Sequence, residues 1–181
     1  TDTSAPTILK FFPLDNETSA PHNANLQLSF SEKVDIETGN ITIYKKSDDS
    51  VFETIDVTNT SLVSGGGTNK ITINPTNDLA LGTEYYVKID ASAFDDASGN
   101  SYAGIHDTTS LSFTTDDTTA PTITSTTPVD NATLVAVDSN IVLNFSEAVD
   151  VESGNIVIYK TSDDSVVESI DVTSNQVTGS G

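Results

Sequence analysis

Repeated groups of acidic side chains are the residues of this sequence with the clearest potential for chemistry. The tripeptide Phe-Ser-Glu occurs at 30–32 and again at 145–147, and Ser-Asp-Asp-Ser-Val occurs at 47–51 and again at 162–166. Carboxylate oxygens are the ligands that Ca²⁺ prefers, and one ion takes roughly six to eight oxygens. Clustered carboxylates therefore predict Ca²⁺ binding, with a solvated acidic surface as the alternative. The Ser-Asp-Asp-Ser segments are interpreted as hairpin turns whose carboxylates accept local backbone hydrogen bonds.

Groups suited to catalysis are few. His22 and His106 are the two histidines, and no Gly-x-Ser-x-Gly nucleophile elbow is present. A loop histidine next to an acid, as in His106-Asp107, is ordinary surface chemistry. The glycine run at 65–67 lacks the Lys and the following helix of a phosphate-binding loop. We therefore expect a protein that is not an enzyme.

The charge of the chain argues against several partners. Its formal net charge is -20, from 27 Asp and Glu against 7 Lys and Arg. Phosphates would repel such a chain, so nucleic acid is not expected as a partner. No apolar run approaches the length of a membrane span, so membrane insertion is not expected either. Because the chain has no Cys, an extracellular domain of this sequence depends on packing or metal rather than on disulfides.

An internal repeat sets the domain organisation. The segment that begins at Ala5 returns at Ala120 without a gap, so equivalent residues differ by 115 in number, and about half of the overlapping positions are identical. A period of this length is the size of an independent domain. We predict a complete domain at 1–116 and the first half of a second copy at 117–181, cut from a longer tandem protein.

Short segments rich in β-branched and aromatic residues alternate with turn residues, which predicts an all-β chain. Alternation places Leu26, Leu28 and Phe30 on one face of a strand. Seven strands match the count of a constant-type immunoglobulin sandwich. Tyr85, early in the sixth strand, resembles the tyrosine of a tyrosine corner. The predicted strands are 7–12, 25–30, 40–45, 51–57, 70–74, 84–90 and 110–115.

We call the domain at 1–116 repeat one and the partial copy at 117–181 repeat two. Six segments of repeat one resemble a known protein family, and the resemblance extends to the first half of repeat two. They are Pro-Leu-Asp-Asn at 13–16, LSFSEKVD at 28–35, Gly-Asn-Ile at 39–41, LALGTEY at 79–85, FDDASGN at 94–100 and Phe-Thr-Thr at 113–115. With them the chain resembles the bacterial Ig-like domain of the S-layer type. The resemblance implies a seven-stranded immunoglobulin-like sandwich in tandem with a truncated second copy, and an extracellular structural or adhesive role.

If successive strands run in opposite directions, the loops between them lie alternately at the two ends of the sandwich, which we call its poles. The acidic loops are therefore expected at these two poles. The N-terminal pole of repeat one is predicted to gather Asp2, Glu32, Asp35, Glu37, Asp95, Asp96, Asn100 and Asp107. The opposite pole is predicted to hold Asp15, Asp48, Asp49 and Asp78. The junction between the repeats is predicted to gather Asp116, Asp117, Glu147, Asp150 and Glu152. Like charges at a junction repel one another, and a bound Ca²⁺ would hold the linker straight.

These observations predict a non-catalytic extender repeat of a large bacterial cell-surface adhesin or S-layer-type protein, stiffened by Ca²⁺ between domains. Its partners would be neighbouring repeats of the same chain, with glycan or cell-surface ligands elsewhere in the full protein. The alternative is a carbohydrate-binding or spacer module of a secreted enzyme, for which Tyr44, Tyr102 and Tyr159 are the candidate aromatics. Half a sandwich exposes an apolar face and strand edges. This predicts either pairing with a second copy, by a swapped or edge-to-edge contact, or a segment cut from a longer ordered chain.

Overall fold

A computed structural model describes residues 2–179 of the chain. These residues form two compact units, Thr1–Thr118 and Thr119–Gly181, which we call unit 1 and unit 2. The described residues contain strands and turns but no helix, so the prediction of an all-β chain is confirmed. Within this range, accordingly, no helix is long and apolar enough to span a bilayer.

Unit 1 is a sandwich of two sheets. Its first sheet has the order β1-β3-β7-β6, with β9 paired to β3, and its second sheet has the order β2-β10-β8-β4-β5. All pairs are antiparallel except the parallel pair of β2 and β10. The strands are β1 Ile8–Phe12, β2 Glu17–Ala20, β3 Leu26–Ile36, β4 Asn40–Lys45, β5 Val51–Asp56, β6 Val63–Ser64, β7 Thr68–Ile73, β8 Glu84–Ile89, β9 Phe94–Asp95 and β10 Ser112–Thr115.

The core lies between the inward faces of the two sheets, as the alternation of apolar residues predicts. Leu26, Leu28 and Phe30 of β3 are each 1% exposed. Ile41 and Ile43 of β4 bury the equivalent face of the second sheet. The chain has no Trp, Met or Cys, so aliphatic side chains with Phe and Tyr fill this core.

The seven predicted strands correspond to β1, β3, β4, β5, β7, β8 and β10. The three short strands β2, β6 and β9 were not predicted. The predicted strand at 25–30 is too short, and the loop expected between it and the strand at 40–45 begins later, because β3 continues through Ile36. The extension forms because β9 pairs with the end of β3, joining Asp35 to Asp95 and Ile36 to Phe94. The longer strand changes which carboxylates of this region can meet.

Tyr85 forms the predicted tyrosine corner. Its side chain is fully buried, and its hydroxyl oxygen accepts a hydrogen bond of 2.9 Å from the backbone N–H of Ala80. The hydroxyl of Thr115 donates to the carbonyl of Ala80 at 2.6 Å. The two bonds fix the segment before β8 against the end of β10.

Unit 2 repeats the first strands of unit 1 in the same register. Its strands are β11 Ile123–Thr127, β12 Val142–Phe145, β13 Asn155–Tyr159 and β14 Val166–Asp171, paired as β11-β12 and β13-β14. The residues equivalent to the unit 1 core are exposed here: Phe145 is 37% exposed and Ile141 is 52% exposed. Within the described residues, β12 and β13 each have one paired edge, whereas β3 and β4 are paired on both edges.

The substitution Tyr85→Phe tests the tyrosine corner. It removes the acceptor of the Ala80 N–H in a buried site, so we expect unit 1 to lose about 1–3 kcal/mol of unfolding free energy. Urea unfolding followed by tyrosine fluorescence measures this change, because every tyrosine except Tyr159 belongs to unit 1. Tyr44→Phe, on the outer face of β4, is the matched control and should cost less than about 0.5 kcal/mol. Equal losses in the two variants would contradict this role of the hydroxyl.

Candidate metal centre

Three acidic side chains of unit 1 meet at one end of the sandwich. Asp2, Glu32 and Asp96 each place a carboxylate oxygen within 4.8 Å of an oxygen of the other two. Asp2 is exposed, Glu32 is half-buried and Asp96 is buried. We call these three residues the acidic cluster. All three were predicted as ligands from the sequence, although nothing in the sequence singled them out among the other candidates.

The strands and an aromatic group position the acidic cluster. Glu32 lies on β3 two residues after Phe30, and Asp96 lies two residues after Phe94 of β9. The Phe30 ring packs edge-on against the rings of Phe94 and Tyr102, with centroid distances of 5.4 Å in both pairs. These buried rings hold the two carboxylate-bearing segments together beneath the cluster.

Asp96 organises a tight turn of its own. Its Oδ1 accepts hydrogen bonds of 2.8 Å from the N–H groups of Ser98 and Asn100. Its Oδ2 accepts a bond of 2.8 Å from the side-chain amide of Asn100, which also donates to the carbonyl oxygen of Asp2 at 3.3 Å. These bonds, led by the one from the Asn100 side chain, lower the pKa of Asp96 below its ordinary value. Asp96 is therefore held in its ionised form.

Glu32 has the opposite electrostatic environment. Its pKa is raised above the ordinary Glu value, first by desolvation and then by the negative charges of Asp2 and Asp96. No positive side chain within the described part of the chain forms an ion pair with it. The negative charges of Asp2 and Asp96 therefore oppose the ionisation of Glu32. A bound cation would offset this repulsion.

The geometry of the cluster suits a single Ca²⁺. Ca²⁺ binds oxygens at about 2.3–2.6 Å, so two oxygens on one ion lie at most roughly 5 Å apart. The spacing of 4.8 Å or less in the cluster meets this limit. Three carboxylates supply fewer ligands than the six to eight that Ca²⁺ takes, so water would complete the shell. All the candidate ligands are oxygens, which favours Ca²⁺ over Zn²⁺.

The structure separates the other candidate residues of this pole from the acidic cluster. Asp35 and Asp95 lie opposite each other in the β3-β9 pair. Asp95 is adjacent in sequence to Asp96, so strand alternation directs it to the other face. Glu37 lies just beyond β3, where its N–H donates to the carbonyl of Ala93 at 3.0 Å. These three residues are outside the group of carboxylates that could share one ion.

Two of the residues predicted to form the junction site, Asp116 and Asp117, belong to unit 1 and lie against other residues of this unit. Asp116 Oδ1 accepts hydrogen bonds from the backbone N–H of His22 at 2.8 Å and pairs with its ring Nδ1 at 2.9 Å. The His22 contacts lower the pKa of Asp116. Asp117 lies close to Gly82. A Cβ atom added to Gly82 would be 3.1 Å from Oδ2 of Asp117. The remaining junction candidates, Glu147, Asp150 and Glu152, belong to unit 2, so a shared Ca²⁺ site at the junction stays a prediction.

Several other carboxylates serve as turn caps. Asp48 Oδ1 accepts hydrogen bonds from the hydroxyl and the N–H of Ser50, and these bonds lower the Asp48 pKa. Asp163 makes the same bonds to Ser165 in unit 2. Asp107 accepts four bonds from Thr109 and Ser110, which place its pKa well below the ordinary value. Local hydrogen bonding explains this part of the acidic composition.

The comparison with protein families settles the relationship of the chain. The model of the bacterial Ig-like domain matches residues 2–115 and again residues 117–178. The chain belongs to the bacterial Ig-like domain family. Its two matches follow one another in tandem, as the internal repeat predicts. No curated protein matches the chain significantly.

The repeat of the Ig-like domain relates the acidic cluster to the linker. By the offset of the repeat, Asp2 corresponds to Asp117 and Glu32 corresponds to Glu147. The acid that precedes the first strand and the acid that follows the Phe-Ser sequence are thus present in both copies. The residue that would correspond to Asp96 lies beyond the 181 residues of this sequence.

The substitution Glu32→Gln tests the electrostatics of the acidic cluster without calcium. A carboxyl with a raised folded-state pKa loses stability as pH rises through that pKa, so we expect Glu32→Gln to stabilise unit 1 at neutral pH. The gain should disappear well below the ordinary Glu pKa of 4.5, where Glu32 is protonated in both states. Urea unfolding in chelator at both pH values measures the difference.

The companion substitution Asp96→Asn should have the opposite effect. A lowered pKa contributes stability that is present above the unfolded-state pKa and is lost as pH falls, so the variant should be destabilised at neutral pH. A Glu32→Gln protein that is less stable than the parent at neutral pH would contradict the repulsion within the cluster.

Proposed function

We propose that this chain is a non-catalytic extender segment of a large bacterial cell-surface protein of the adhesin or S-layer type. The observation that carries the proposal is the tandem match to the bacterial Ig-like domain over residues 2–115 and 117–178. A repeated domain of about 115 residues adds length in equal steps, which is what a stalk requires. Placement at the bacterial surface is part of the same proposal.

Calcium would set the stiffness of the stalk. Asp2 precedes the first strand, so the acidic cluster joins a linker-side residue to two residues fixed in the sandwich. A Ca²⁺ bound there would tie the segment before β1 to the body of the domain. In an array, Asp117 and Glu147 would give the next repeat two equivalents of these ligands. The proposal is therefore one Ca²⁺ site for each junction, formed by the linker and the following domain.

The roles of the two histidines support a non-catalytic function. His22 ties Asp116 at the end of unit 1 to the β2-β3 connection. His106 Nε2 contacts the carbonyl of Ala103, three residues earlier in its own loop. Both histidines thus hold chain segments in place.

The alternative function, a carbohydrate-binding or spacer module of a secreted enzyme, is less well supported by the aromatic residues first considered for it. Tyr102 is 8% exposed and packs on Phe30 in the core. Tyr44 stacks against Tyr86 at 4.9 Å, and the ammonium of Lys88 lies 5.5 Å from the centre of the Tyr44 ring. Tyr159 is 57% exposed, so it stays the most open aromatic of the three.

A second copy of the chain is the further partner that we propose, through unit 2. Its exposed apolar residues and singly paired strands would be covered if two copies of this 181-residue chain associate, as the remaining strands of the second domain would cover them in a longer chain. Sedimentation at increasing protein concentration should reveal dimers, and amide exchange in β12 and β13 should slow as they form. A monomer at all concentrations, with these amides already protected, would contradict this pairing.

Thermal unfolding with and without calcium tests the calcium site. At a tenfold excess over its dissociation constant, Ca²⁺ should stabilise unit 1 by roughly 1.4 kcal/mol, which raises the Tm of a domain of this size by several degrees. Glu32→Gln should abolish most of this shift because it removes a central ligand. Calorimetry of the whole chain in Ca²⁺ and in chelator gives both values.

Glu37→Gln is the matched control, since Glu37 is at the same pole but outside the acidic cluster. This variant should keep the full calcium shift. A shift that is equal in the parent and in Glu32→Gln, or the lack of any shift in the parent, would contradict the calcium site. Mg²⁺ at the same concentration should have a smaller effect, because it favours a smaller octahedral shell.

A further inference from the structure

The outer face of the first sheet of unit 1 carries a row of positive and polar side chains. Lys10 of β1 pairs with Ser29 of β3, and Ser29 pairs with Lys70 of β7. Directly opposed residues share a face, so the two lysines flank Ser29 on the surface of the sheet. Two strand spacings separate their backbones, about 10 Å. Both lysines are exposed, and neither forms an ion pair within residues 2–179.

A second row continues the same face. Phe12, Gln27 and Thr72 are paired across the same three strands, two residues along from the first row. The Phe12 ring is 36% exposed. Neither row contains an acidic residue, although the chain has 27 Asp and Glu and a net charge of -20. We use the name basic row for five residues taken from both rows: Lys10, Ser29 and Lys70 from the first, and Phe12 and Gln27 from the second.

The fold does not require the basic row. In unit 2, β11 and β12 pair in the same register, with an irregularity at the same place in the strand. The positions of Lys10 and Ser29 are taken there by Ser125 and Asn144, and those of Phe12 and Gln27 by Thr127 and Val142. The inward positions of β3 stay apolar in the second copy, where Ile141, Leu143 and Phe145 replace Leu26, Leu28 and Phe30, while this outer surface changes. The basic row is therefore a feature of repeat one, separate from what builds the sandwich.

The shape and chemistry of the basic row indicate its ligand class. Its residues, together with Phe11, line an open groove of about 180 Å³. Pockets that enclose a whole ligand are commonly larger, about 300–1,000 Å³, so this groove suits part of a longer chain lying on the surface. The lysines match carboxylates, the Ser and Gln side chains match hydroxyl groups, and an exposed ring can pack on the apolar face of a sugar. The groove lacks the deep desolvated pocket in which a protein partner anchors its side chains.

We propose that the basic row binds an acidic polysaccharide whose sugar units carry carboxylates, a polyuronate. The net charge of -20 opposes a polyanion over most of the surface. Salt screens exposed charges beyond about 8–10 Å, so the two lysines and the lack of acidic residues in either row set the local attraction. Lys10 and Lys70 would each contact a carboxylate, while Phe12 packs on a sugar ring and Gln27 and Ser29 bind its hydroxyl groups. This goes beyond the extender role, because it gives repeat one a ligand of its own. It is independent of calcium and of the acidic cluster.

Calorimetric titration of the whole chain with oligogalacturonate in chelator tests the proposal. The parent protein should bind, and affinity should fall as salt rises, because the contacts are exposed ion pairs. Lys10→Gln/Lys70→Gln should weaken binding by roughly two- to thirtyfold, the range expected for the loss of two exposed ion pairs. Lys10→Ser/Phe12→Thr replaces two residues by their equivalents in unit 2 and should also weaken binding. Because the second copy carries these residues, the fold should tolerate them. Glu37→Gln, which changes a carboxylate outside both the acidic cluster and the basic row, should leave binding unchanged. The chelator separates this result from the calcium test.

Two controls make the result specific. Lys46→Gln/Lys88→Gln removes the same charge from the outer face of the other sheet and should keep full affinity. A neutral dextran of similar length should not bind. The proposal is overturned if the parent fails to bind oligogalacturonate, or if the Lys46/Lys88 variant loses affinity equally. Equal affinity for polyglutamate would also overturn it, since that would mean an attraction to any acidic polymer.

Discussion

The packing of Phe30 against Phe94 and Tyr102 is the interaction on which the acidic end of unit 1 depends. The rings contact edge to face at 5.4 Å, and each such pair contributes about 0.5–1.5 kcal/mol beyond the burial of its surface. Glu32 and Asp96 follow two of these rings by two residues each. Their charges are thus held close by a buried apolar contact beneath them, because the carboxylates themselves repel.

Two opposite electrostatic environments occur among the acidic residues of the chain. Turn carboxylates such as Asp48 and Asp107 accept hydrogen bonds from their own loops, and these bonds lower their pKa values. Glu32 has a raised pKa instead, because desolvation and two negative neighbours oppose its charge. A cation at the acidic cluster would offset the repulsion at Glu32 and leave Asp48 and Asp107, which lie outside the cluster, nearly unaffected. The net charge alone could not have distinguished them.

Much of the fold could be predicted because it depends on local patterns. Alternating apolar residues predicted the seven main strands, and the position of Tyr85 predicted its corner. The short strands β2, β6 and β9 depend on distant partners, and a strand of two residues such as β9 has no pattern of its own. The same long-range pairing extended β3 and separated Asp35 from Glu32. The members of the acidic cluster were therefore among the many candidate ligands predicted from the sequence. Only the pairing of β3 with β9 separated them from the other candidates at this pole.

Small-angle scattering of a protein that carries two complete repeats in series tests the central claim most directly. If Ca²⁺ ties each linker to the domain that follows, as proposed, the scattering curves should differ between saturating Ca²⁺ and chelator. With Ca²⁺ we expect an extended particle with a single well-defined maximum dimension, and with chelator a shorter, broader distribution from a flexible linker. Curves that superimpose would contradict the claim and leave the acidic residues to turns and solvation.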